Sequence, residues 1–208
     1  MRGAVFPVAF EIQTQKSVAL AIAPLVGAAV GAIAAVLYGL TGALGAVMFW
    51  TVVPIFLGEP MALDRSLWSR LGIGAVMLGE WLLLRAAGSV YEPLLICIAA
   101  QAVPRAAVIA LAWISRPAAR PPVYTSALTS WGALFAVASG IVAACLAGWL
   151  PGTLILISCY LVTRWLRVLA YRSSGGVSQR SLAYARLATE VCVLIVLSVP
   201  LPGVFPRL

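Results

Sequence analysis

At 208 residues and 21.8 kDa the chain has room for one domain. Its composition, 63% hydrophobic and 10% charged with mean hydropathy +1.06, excludes an ordinary water-soluble domain, in which about a quarter of residues are charged. The net charge of +8 comes from thirteen arginines and one lysine against Glu11, Glu59, Asp64, Glu80, Glu92 and Glu190, with no histidine, so metal and acid–base chemistry have few groups to draw on.

The N-terminal stretch, with Phe6-Pro7, Glu11 and Lys16, does not read as a cleaved signal peptide, and the first apolar run is expected to direct insertion itself. A bilayer crossing takes about 20 apolar residues in a helix. Helix is the state expected because hydrocarbon offers no partner to free backbone groups. The runs at 18–38, 41–57, 71–88, 92–114, 128–148, 151–171 and 184–201 therefore predict an all-α, polytopic membrane bundle of about seven spans, forming one domain over 1–208. The first run carries Gly27 and Gly31 in a GxxxG pattern among alanines, a face that lets two helices approach closely, within the chain or between two copies.

The third and fourth runs carry Glu80 and Arg105, each about nine residues from its cytoplasmic end, or ~14 Å deep at 1.5 Å per residue. An ion pair between them, with Pro104 freeing a carbonyl for the guanidinium, is expected. The alternative is that each faces a hydrated vestibule. The cysteines Cys97, Cys145, Cys159 and Cys192 lie inside apolar runs without CxxC spacing, so buried packing thiols are expected. Trp68, Trp113, Trp131, Trp149 and Trp165 fall near span ends, where amphipathic rings suit the interface, whereas Trp50 and Trp81 read as packing residues.

Seven spans with a cytoplasmic N-terminus place Arg2, Lys16, Arg65, Arg70, Arg116, Arg120, Arg164, Arg167, Arg172, Arg180 and Arg186 on or beside the cytoplasmic face. The opposite face receives Arg85 and Arg207. That asymmetry puts the C-terminus outside and the chain in a bacterial-type cytoplasmic (inner) membrane, and it accounts for the arginines without nucleic acid. The cytoplasmic arginines also suit anionic lipid headgroups. Glu190 sits one turn beyond Arg186, at the spacing of a local bridge. The glycine-rich step Gly175-Gly176 before Ser178 and Arg180 is the other polar feature, since a glycine loop opening a helix binds anions.

Four segments together resemble one family. AIAPLVGAAVGAIAAVLYGL (21–40), SRLGIGAVMLG (69–79), AQAVPRAAVIALAW (100–113) and GGVSQRSLAYARLATE (175–190) are similar, in order and topology, to segments of cobalamin synthase, adenosylcobinamide-GDP ribazoletransferase. The resemblance implies a remnant polar pocket from Arg70, Arg105, Gly175, Gly176, Ser178, Arg180 and Glu190. Family members use carboxylates with a divalent metal to join a GDP-activated corrinoid to ribazole and release GMP. The acidic stretch that would carry this reads PIFLGEPMALDRSLWSRLG here and keeps only Glu59 and Asp64, while Trp68 replaces an aspartate. Gln179-Arg180 replaces Gly-Asp, Leu187 replaces a glutamate, and Glu190 keeps its place. An arginine at that position repels the ion a carboxylate would hold. The sequence thus predicts a non-catalytic relative with no metal or other cofactor, an accessory or structural subunit packing against another integral membrane protein or complex. The alternative is a divergent transferase, with Mg²⁺, acting on a ribazole-type or lipid-linked acceptor.

Overall fold

The computed structural model describes residues 18–56, 67–87, 91–118 and 128–199. Residues 18–21 are helical (α1) and lead into α2 (Ala23–Phe56). Then follow α3 (Leu67–Ala86), α4 (Tyr91–Ile114), α5 (Ser130–Leu146), α6 (Trp149–Ser174) and α7 (Gln179–Ser198). No strand occurs among the described residues; the nearest feature is an isolated bridge between Pro117 and Val177.

The helices follow the apolar runs, but their ends are set by local chemistry. Gly42 takes φ 76 and ψ −175 inside α2, a backbone state costly for any residue with a Cβ. The predicted first and second spans therefore join as one element kinked at this glycine. At the other end of the chain, α7 begins at Gln179 rather than 184. Ser178 caps it: its hydroxyl accepts from the Ser181 N–H, and the Ser181 hydroxyl accepts from the Ser178 N–H. Those serines extend the helix into a stretch too polar to read as span.

Four helical stretches are long and apolar enough to cross a membrane: Ala23–Gly42, Tyr91–Ile114, Trp149–Ser174 and Gln179–Ser198. Ser130–Leu146 is a shorter apolar helix of 17 residues, about 25 Å long.

Helix α4 is the centre of the bundle. Two thirds of its span is buried (67%), against 17% for α6. Helices α2, α5 and α7 pack closely on α4, α3 rests mainly on α7, and α6 lies against α7 and α5. Small residues make these approaches close. A Cβ on Gly31 would meet the Cys97 carbonyl, 2.6 Å from its carbon, and one on Gly140 would collide with the Ala106 side chain. The GxxxG face is thus spent on an internal contact between α2 and α4. Around α4 the core is largely alanine: Ala34, Ala99, Ala100, Ala102, Ala143 and Ala144 are all buried.

The thiols divide between inside and outside. Cys97 and Cys159 are buried and Cys192 partly so, as expected of packing residues, but Cys145 lies exposed on α5. Hydropathy alone gives no helix face, which is why all four looked alike in the sequence.

Candidate functional site

Where α3, α4 and α7 meet, the apolar interior holds a compact polar cluster. Gln101 and Arg105 stand one turn apart on α4, and Arg186, Thr189 and Glu190 occupy one face of α7. Glu80 enters from α3. All six side chains are buried.

The connections at one end of the bundle show why these levels coincide. Just past the end of α4, the Arg116 carbonyl accepts from the Val177 N–H (2.9 Å). The Val177 carbonyl accepts from Ala118 (3.1 Å), two residues before α7 starts. Helices α4 and α7 therefore run antiparallel from a common end, which sets Arg105 beside Arg186 and Gln101 beside Glu190.

Gln101 is the hinge of the network. Its side-chain N–H donates to Glu190 Oε1 (3.2 Å), and its Oε1 accepts from Arg105 Nη1 (2.6 Å). The same Nη1 donates to the Gln101 backbone carbonyl. Arg186 and Arg105 both act on the Glu190 carboxyl. Thr189 turns its hydroxyl back onto its own helix, donating to the Ala185 and Arg186 carbonyls (2.7 and 2.9 Å). Gly27 of α2 leaves the space the Arg105 side chain occupies, since a Cβ there would lie 2.9 Å from both Arg105 Cδ and Nη1. Replacing Gln101 by leucine keeps the volume and removes both bonds. We expect a loss of about 1–3 kcal/mol, the usual cost of stranding buried polar partners, read as a lower unfolding midpoint in detergent. An unchanged midpoint would show that the network carries no stability.

The expected Glu80–Arg105 ion pair does not form. Glu80 accepts no hydrogen bond from the protein and faces Glu190, while Arg105 is directed to Gln101 and Glu190. The helix boundaries supply the reason. Glu80 is six residues from the end of α3, and Arg105 is fourteen from the start of α4, or about 9 and 21 Å from the same end of the bundle. The carbonyl that Pro104 leaves without a helical donor is that of Ala100, four residues back, whereas the Arg105 guanidinium donates to that of Gln101.

The described residues of the expected remnant pocket do not gather in one place. Gly175 is the left-handed cap of α6 (φ 69), and its N–H donates to the Tyr171 carbonyl. Gly176 is buried because a Cβ there would lie 2.7 Å from the Arg116 and Pro117 carbonyl oxygens. Ser178 is occupied in capping α7, and Arg180 is exposed. Chain geometry thus accounts for both glycines and the serine. Arg180 lies ten residues from Glu190, about 15 Å along α7. For Arg70 only the helical backbone in α3 is described, and Glu59 and Asp64 lie outside the described residues.

Sequence reasoning missed Gln101 and underrated Arg186. A lone glutamine one turn before an arginine in an apolar run was the available signal for the first. An apolar run beginning at 184 puts Arg186 at the membrane edge, but α7 begins five residues earlier and Arg186 is seven residues, about 10 Å, inside the helix. Among the described residues no group of three or more His, Cys, Asp or Glu side chains is placed to hold a metal ion. Comparison with known protein families, curated proteins and solved structures gives no match.

Proposed function

We propose that this chain is a multi-pass protein of a bacterial-type cytoplasmic membrane, a non-catalytic relative of cobalamin synthase. In this reading it serves as an accessory or structural subunit packed against another integral membrane protein or complex. All seven predicted spans cross, with the N-terminus cytoplasmic and the C-terminus on the opposite face. The distribution of described arginines supports that orientation. Arg116, Arg172 and Arg180 are exposed where α4 and α6 end and α7 begins, whereas Arg85 stands at the end of α3 over the Trp81 ring (5.1 Å).

The observation that carries the accessory role is the outer wall. Helix α6 buries little of its own span, and with α5 it presents Trp131, Phe135, Trp149, Tyr160 and Trp165 outward, the first and third 83% and 86% exposed. Trp and Tyr are enriched among the residues that anchor protein contacts, and those at span ends also suit the membrane–water boundary, so the proposed partner covers the wall between them. Against catalysis stands the setting of Glu190. It is held by Gln101 and flanked by two guanidiniums, which oppose a divalent cation.

The test is purification of the tagged native chain in a gentle detergent, with mass spectrometry of what accompanies it. A stoichiometric integral membrane protein that is lost on Trp131→Ala/Trp165→Ala substitution is the expected result. A chain that purifies alone or only with itself, and that releases GMP in the presence of Mg²⁺ and a GDP-activated corrinoid, overturns the reading in favour of a transferase.

A further inference from the structure

Glu80 poses a problem that the rest of the polar cluster does not solve. Its side chain is 1% exposed, and neither carboxyl oxygen receives a hydrogen bond from any protein N–H or O–H. The group it faces is the carboxyl of Glu190, itself 7% exposed. Two carboxylates in contact, away from water, repel each other, and both Glu80 oxygens are acceptors with no donor to accept from.

The surrounding charges relieve this only in part. On α7, Arg186 acts on both carboxyls, more weakly on Glu80 than burial and Glu190 do, and from α4 Arg105 acts on Glu190, which already accepts from Gln101. From α4 the Cys97 thiol lies near Glu80 without bonding it. On α3 itself Arg85 is exposed and directed to the Trp81 ring. From α2 the ionisable side chain against this core is Tyr38, and from α6 it is Cys159, whose sulfur meets the Thr189 carbonyl at 3.9 Å. A single proton between the carboxyls converts acceptor against acceptor into donor and acceptor, and gives Glu80 the partner it lacks.

We propose that the Glu80–Glu190 carboxyl pair is a proton-binding site inside the membrane bundle, holding one proton between the two carboxyls and thereby tying α3 to α7. Its place in the fold gives the proton a structural lever. Helix α3 rests mainly on α7 and hardly touches α4. Its buried side chains Val76, Glu80 and Leu84 form one stripe, with Glu80 in the middle. The proton is therefore the polar clasp of an otherwise apolar contact. Gln101, Arg105 and Arg186 brace the Glu190 side, so α3 is the element that responds when the proton leaves. Proton uptake and release breaks and forms only O–H bonds, with water as donor and acceptor, and requires no other reactant.

The experiment is infrared spectroscopy of the native chain reconstituted in lipid near neutral pH, in H₂O and in D₂O. A protonated-carboxyl C=O band that shifts in D₂O is expected. It is lost in Glu80→Gln, whose amide donates to Glu190 in the proton's place and preserves the fold, and is retained in Glu92→Gln, a control in the first turn of α4 outside the polar cluster. Absence of the band from the native chain overturns the proposal whatever the variants do, and so does its persistence in folded Glu80→Gln.

Discussion

Gly31→Ala is expected to lower the stability of the bundle by at least the ~1–3 kcal/mol typical of overpacking, and Gly31→Leu to abolish folding. The atoms a new Cβ would meet are all backbone: the Cys97 carbonyl and the Ile98 nitrogen, the latter at 2.8 Å. No side-chain rotation relieves that collision. Ordinary carbon contacts begin near 3.4 Å, so α2 and α4 would have to separate by about 1 Å. Such a shift also withdraws Ala34 and the Gly27 seat of Arg105, and contacts across the interface weaken together. Gly27→Ala is milder, because two of the three atoms it meets belong to the Arg105 side chain. Gly39→Ala is the control: nothing lies within 4 Å of its Cβ, and alanine favours a helix over glycine by about 0.5–1 kcal/mol. Unfolding midpoints in detergent should therefore fall in the order Gly39→Ala, Gly27→Ala, Gly31→Ala. A Gly31→Ala protein as stable as the native chain would refute the close packing of α2 on α4.

The second large effect is expected at Arg186. Arg186→Leu removes a cation that acts on Glu190 in the bundle interior, leaving an under-compensated buried carboxyl. Breaking one side of a buried charge pair costs about 3–5 kcal/mol, far more than the few tenths of an exposed bridge at the same spacing. The size of the loss thus distinguishes an interior network from a surface contact. Glu190→Leu alone should also destabilise, because it strands Gln101 and Arg186. The double substitution Arg186→Leu/Glu190→Leu should cost less than the two added, by about 0.5–3 kcal/mol. Additive losses in equilibrium unfolding would mean that the two residues do not interact.

These expectations differ in how far the sequence led to them. The GxxxG pattern named Gly27 and Gly31, but a pattern of small residues fits a second copy as well as a neighbouring helix. The closeness of Cys97 to Gly31 resolves this in favour of α4. Glu80, Arg105 and Glu190 were visible as charges in apolar runs, yet their partners were not. Depth along a helix depends on where the helix begins, and an error of a few residues moves a side chain several ångströms and around the axis by 100° per residue. The serine cap of α7 moved Arg186 inward; the actual ends of α3 and α4 separated Glu80 from Arg105. Gly175 and Gly176 looked like an anion loop because a sequence shows glycine without showing φ or the chain crossing beside it.

By itself the sequence determined the all-helical state and the apolar helix runs, because both follow from short-range causes. Backbone groups that cannot reach water must bond within their own segment, and apolar length sets what a segment can cross. Tertiary structure alone decided that α4 is the centre, that Gln101 joins Arg105 to Glu190, and that Glu80 meets Glu190 rather than Arg105. Those outcomes depend on which helix faces meet and at what depth, and that is fixed by close contact between small residues distant in the chain, which no local pattern encodes.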